Sequence, residues 1–133
     1  MTTSPMSGSA SPSGLLAAAR DLIQRPRSGT VGLWPRAAAF LARRALEEAL
    51  DRLWLRRAPG LERASARAQL ACLPDYLGDP ALAWEIVFTW SALSNACHHH
   101  AYELAPTAAE LQRRIDAVSR LVERLESKGL AAP

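Results

Sequence analysis

The sequence predicts an all-α bundle of four to five helices, and three observations predict it. Apolar residues recur at helical spacing in the long central segment and in the last one. Helix-start and helix-stop residues stand where those periodic segments begin and end. No strand-like alternation, glycine-rich phosphate loop or internal repeat is visible anywhere. At 133 residues and 49% hydrophobic content, the chain suits one domain with a modest core, expected over residues 15–130.

Each element has its own justification. Residues 1–14, "MTTSPMSGSASPSG", are dominated by serine, proline and glycine and read as a disordered tail. They have neither the basic start nor the apolar centre of a signal peptide. "LLAAARDLIQR" reads as a short helix ending before Pro26, and "PRSGTVGLW" as a connector. From Pro35 to Arg57 the chain is rich in alanine and leucine, with a proline suited to the first turn and "APG" to stop it. Ala39, Ala42, Leu46, Ala49, Leu50 and Leu53 share one face of this helix, with Glu47, Glu48 and Asp51 largely opposite. "LERASARAQLACL", residues 61–73, reads as a shorter helix terminated by Pro74 and the "GDP" turn. Asp79 followed by Pro80 pairs a capping carboxylate with a proline at the first helical position, opening a helix expected to run to about Leu104. Thr107 and Glu110 have capping-box spacing, and Leu111, Ile115, Val118, Val122 and Leu125 form the apolar stripe of the last helix.

Composition narrows the function classes. No apolar run approaches the roughly 18 residues of a membrane span, so a cytoplasmic protein is expected. In a reducing cytosol the two cysteines, Cys72 and Cys97, read as buried thiols. The net charge of +3 comes almost wholly from arginine, Lys128 being the only lysine, and with so much alanine this reads as a compositional bias. It is a weak argument for a polyanionic partner. The cluster Arg52, Arg56, Arg57, Arg63 and Arg67 is a better one, although a charge run is usually a solvated face.

The segment "LSNACHHHAYEL" carries the chemistry. On a helical wheel Leu82, Ile86, Trp90, Leu93, Cys97, His100 and Leu104 form a core stripe. Trp84, Phe88, Asn95, His99 and Tyr102 gather on nearly the opposite side, with His98 at the edge. Such a second face must be covered, either by residues 15–25 or by another copy of the chain about a two-fold axis; a homodimer is the favoured expectation. Three consecutive helical histidines fan across about 200° and cannot converge on one ion, and the other helices carry no histidine, so no metal is expected. Cys97 on the core stripe has its thiolate disfavoured. Asn95, His98, His99 and Tyr102 then remain as groups for proton transfer or binding at a symmetric interface, or for hydrogen bonding across a purely structural seam.

These residues resemble a known family. "AFLARRALEEALDRLW" resembles the first long helix of HEPN domains, and Ala45, Glu47, Ala49 and Leu50 follow its alanine-rich pattern loosely. "SNACHHHAY" resembles the HEPN signature of arginine, a polar residue, then histidine followed one residue later by tyrosine. Asn95 matches the polar position, His99 or His100 the histidine, and Tyr102 the tyrosine. The resemblance covers roughly residues 34–127. It implies a dimeric helical bundle associated with RNA or nucleotides. It also implies metal-independent endoribonuclease chemistry without a cofactor, and, for toxin-type members, a protein antitoxin partner. The signature arginine falls on Ser94 or Asn95, neither of which is charged; Arg113 or Arg114 is the candidate replacement for phosphate binding.

Overall fold

The computed structural model describes residues 10–25, 33–98 and 104–130. Among the described residues there are five α-helices and no strand. They are α1 (Pro12–Gln24), α2 (Trp34–Arg57), α3 (Ala66–Leu77), α4 (Pro80–Cys97) and α5 (Ala108–Leu130), with a single 3-10 turn at Leu61–Arg63. No helix is long and apolar enough to cross a membrane, among the described residues.

Helix α2 is the centre of the bundle, with α1, α4 and α5 packed around it and α3 resting on α4. The six residues expected on its core face are all buried, and so are the five expected on α5. Buried alanines (Ala38, Ala39, Ala42, Ala45 and Ala49) let neighbouring helices approach closely, and leucines from those neighbours fill the space. At its far end Trp54 is fully buried and donates from Nε1 to Gln69 Oε1 at 3.0 Å. The Gln69 amide donates in turn to the carbonyls of Glu62 (3.2 Å) and Ala64 (2.9 Å). One buried glutamine thus ties α2, the 3-10 turn and α3 together.

Both expected caps form. Asp79 Oδ1 accepts from the Leu82 amide at 3.1 Å, and Thr107 and Glu110 exchange reciprocal bonds of 3.1 and 2.8 Å. Four boundaries differ from expectation. Helix α1 begins at Pro12, because the Ser11 hydroxyl accepts from the Gly14 amide and Pro12 fills the first position; residues 1–9 of the expected tail lie outside the described residues. Residues 61–73 are not one helix: Gly60, at φ +106°, starts the 3-10 turn, and Ser65 caps a fresh helix. That helix passes through Pro74 and ends at Gly78, which is left-handed at φ +62°. The lost bond at Pro74 is offset by burial of Leu73 and Leu77 around it. Finally, α4 ends at Cys97, where the His98 amide is shared between the carbonyls of Ser94 and Asn95. Leu104, expected on the core stripe, is outside any helix and 97% exposed.

Candidate functional site

Helix α4 buries Leu82, Ile86, Leu93 and Cys97 and leaves the opposite strip open. Trp84, Val87, Phe88, Ser91 and Asn95 are exposed along it, and the exposed His98 follows at the helix end. The strip does not lie under α1, which packs on α2 and α5 instead. Its first half is aromatic, with Trp84 and Phe88 stacked at a 5.1 Å centroid distance and 15° between ring planes. Its second half is polar.

Arginines border this strip on both sides. From α5, the Arg114 guanidinium carbon lies 5.1 Å from the Phe88 centroid. Arg113 and Arg114 also line a groove of about 360 Å³ between α4 and α5, with Ala92, Ala96 and Glu110. A second recess, which includes Asn95, shares Ala96, Pro106 and Glu110 with the lining of that groove. Glu110 lies between them as an anion. Its hydrogen bonds with the backbone and hydroxyl of Thr107 hold its carboxyl below the usual 4.5, and Arg113 and Arg114 add to the effect.

From α2, Arg43 reaches across to α4. Its Nη1 donates to Ser94 Oγ at 3.4 Å, and its guanidinium carbon lies 5.8 Å from the Phe40 ring and 6.0 Å from Trp90. Its Nε faces Glu47 Oε2 at 3.5 Å without hydrogen-bond geometry. Glu47 also accepts from Trp90 Nε1 at 2.9 Å and from Arg44 Nη1 at 2.9 Å. A guanidinium therefore stands against Ser94, on the polar half of α4. Sequence reasoning missed Arg43. The one available signal was its flanking position beside the Ala42 and Leu46 stripe, four residues before Glu47.

Of the other expected site residues, Asn95 is exposed, Arg113 is exposed and Arg114 is half-buried; His99, His100 and Tyr102 lie outside the described residues. Burial pushes the Cys97 thiol up, which disfavours a nucleophilic thiolate; Cys72 is half-buried rather than buried. The basic cluster at the end of α2 is divided among separate partners. Arg57 donates to the Lys128 and Tyr76 carbonyls, while Arg52 and Arg63 pair with Glu48 and Glu62. Among the described residues no group of three or more histidine, cysteine and acidic side chains is placed to hold a metal ion.

No family model, curated protein or solved structure matches the chain.

Proposed function

We propose that this chain is a HEPN-type, RNA- or nucleotide-binding cytoplasmic protein whose contact surface is the open strip of α4. One observation carries the reading: Asn95 and His98 sit on a strip bordered by arginines from two different helices, Arg43 on α2 and Arg113 and Arg114 on α5. Cations flanking a polar strip suit phosphate, and exposed rings suit bases.

The chemistry that follows is metal-free RNA cleavage. A histidine of the 98–100 run removes the 2′-hydroxyl proton as the 2′-oxygen bonds to phosphorus. The bond to the 5′-oxygen breaks, and a protonated imidazole returns a proton to that leaving oxygen. A guanidinium steadies the charge that builds on the phosphoryl oxygens. With no arginine on α4 itself, turnover is expected to be slow; losing one such group costs about a hundredfold in rate.

A second reading has its own support. Trp84, Val87 and Phe88 are 64%, 37% and 46% exposed, and a homodimeric interaction module without catalysis would cover them. Incubation of purified chain with single-stranded RNA in chelator, beside light scattering, separates the two. Cleavage that disappears in a His98→Ala, His99→Ala, His100→Ala variant of unchanged mass supports the nuclease. RNA binding that weakens in Arg113→Ala, Arg114→Ala supports the binding surface without cleavage. Neither binding nor cleavage, with a dimer that the histidine variant dissociates, removes the RNA reading.

A further inference from the structure

The aromatic half of the strip has a geometry that burial does not explain. Tryptophan is among the most buried side chains on average, yet Trp84 is 64% exposed. It is also already ordered: Phe88, one helical turn on, stacks on it at 15°, and Phe88 in turn carries Arg114 at 5.1 Å. A pair spaced i, i+4 on a helix contributes only a few tenths of a kcal/mol to helix stability, which leaves the exposed ring area without a structural role. Glu85, the acidic neighbour, is half-buried and paired with Arg120 at 3.9 Å, and Arg114 is the cation set against the rings, with Arg113 and Glu110 lining the groove beside it.

We propose that Trp84, backed by Phe88 and Arg114, is a stacking platform for an unpaired base of single-stranded RNA, with the neighbouring phosphates directed toward Arg113 and Arg114. The proposal rests on the RNA-binding reading and adds to it the place where a base is held. A π-face accepts any base, whereas hydrogen-bonded readout would need polar groups that this half of the strip lacks. Trp84 lies eleven residues before Asn95 in the same helix, about 16 Å along its axis. A strand anchored at Trp84 reaches the histidine end within a few nucleotides.

A second copy of the chain is the competing occupant, and the small apolar area argues against it. A stable interface takes about 800 Å² and 20–30 residues from each partner, whereas the large apolar side chains exposed on α4 are Trp84, Val87 and Phe88.

The test compares binding of a short oligouridylate with that of an abasic ribose-phosphate oligomer of equal length, for wild type, Trp84→Ala, Trp84→Phe and Arg113→Ala, Arg114→Ala, each at several salt concentrations. Trp84→Ala should weaken oligouridylate binding on the order of tenfold or more, leave the abasic oligomer unchanged and preserve the salt slope. Trp84→Phe should recover part of the loss. The arginine pair variant should weaken both oligomers and reduce the salt slope by about 0.7 per lost phosphate contact. If Trp84→Ala binds oligouridylate as wild type does while the arginine variant is weakened, the platform is overturned and the binding surface stands. Binding of neither oligomer by wild type overturns both. A wild-type dimer that Trp84→Ala converts to monomer, with no selective loss for the base-bearing oligomer, assigns the strip to a seam between copies and overturns the platform.

Discussion

Replacing Glu47 with alanine should loosen α4 from α2 directly beneath the candidate site. The Glu47 side chain is 21% exposed and holds three groups: Trp90 Nε1 at 2.9 Å, Arg44 Nη1 at 2.9 Å and Arg43 Nε at 3.5 Å. The Trp90 bond, to a charged acceptor and half-buried, contributes about 1.5–3 kcal/mol. The Arg44 pair is nearer the surface and adds about 0.3–0.5 kcal/mol. Arg43, whose side chain is 18% exposed, loses its carboxylate but keeps Ser94 and two aromatic rings, so its penalty is well below the 3–5 kcal/mol of a fully buried orphan charge. Together these give about 2–4 kcal/mol, or a urea midpoint lowered by roughly 1–2 M at the usual slope for a small domain. The assay is urea unfolding followed by circular dichroism, run as a double-mutant cycle with Trp90→Phe. In the phenylalanine background, Glu47→Ala should cost about 1.5–3 kcal/mol less, because the indole donor is already gone. Equal costs in both backgrounds would show that the Trp90 bond contributes nothing, and a cost of Glu47→Ala under about 0.5 kcal/mol would dismiss Glu47 as the clasp between the two helices.

Three further predictions follow from groups on the same helices. Gln69→Leu should cost about 2–4 kcal/mol in urea unfolding, since it leaves the Trp54 indole N–H and two carbonyls without their partner; a midpoint matching wild type would mean those groups find other partners. Asp51 has its carboxyl raised above the usual 3.8 by burial and by Glu48, with Arg44 opposing. The stability tied to that proton is full below 3.8 and lost as pH rises through the folded-state value, so Asp51→Asn should raise the urea midpoint at neutral pH and gain nothing in acid. Glu110 has the opposite sign. Held below the usual 4.5 by its Thr107 bonds, it stabilises the fold above that value and loses the contribution as pH falls through its folded-state value, so Glu110→Gln should cost stability at neutral pH and little in acid.

What was legible in the sequence was local. The α2 and α5 stripes, and the caps at Asp79 and Thr107, involve residues within a turn or two of one another, so spacing alone reveals them. The cap at Ser11 and Pro12 uses the same chemistry as Asp79 and Pro80, yet it was hidden by the serine, proline and glycine around it. Pro74 reads as a stop because the local rule forbids it; the tertiary burial of Leu73 and Leu77 overrides that rule. Arg43 was illegible for a different reason: its partner Ser94 is 51 residues away and on another helix. The two-faced character of α4 was readable from the wheel, but its end at Cys97 was not, because a wheel assumes that the helix continues.

The alanine seam of α2 has a consequence for where ordering costs fall. Alanine has no side-chain torsion to freeze, so Ala38, Ala39, Ala42, Ala45 and Ala49 enter the core with no loss of rotamer entropy. The surface they present is set by backbone alone and does not adapt. Along that seam, rotamer selection therefore falls on the apolar side chains of the neighbouring helices, with leucine and isoleucine each losing roughly 0.5–1 kcal/mol of freedom. Where α2 presents alanine it acts as a template and its neighbours carry the entropy of matching it, whereas Leu46, Leu50, Leu53 and Trp54 of α2 bear their own.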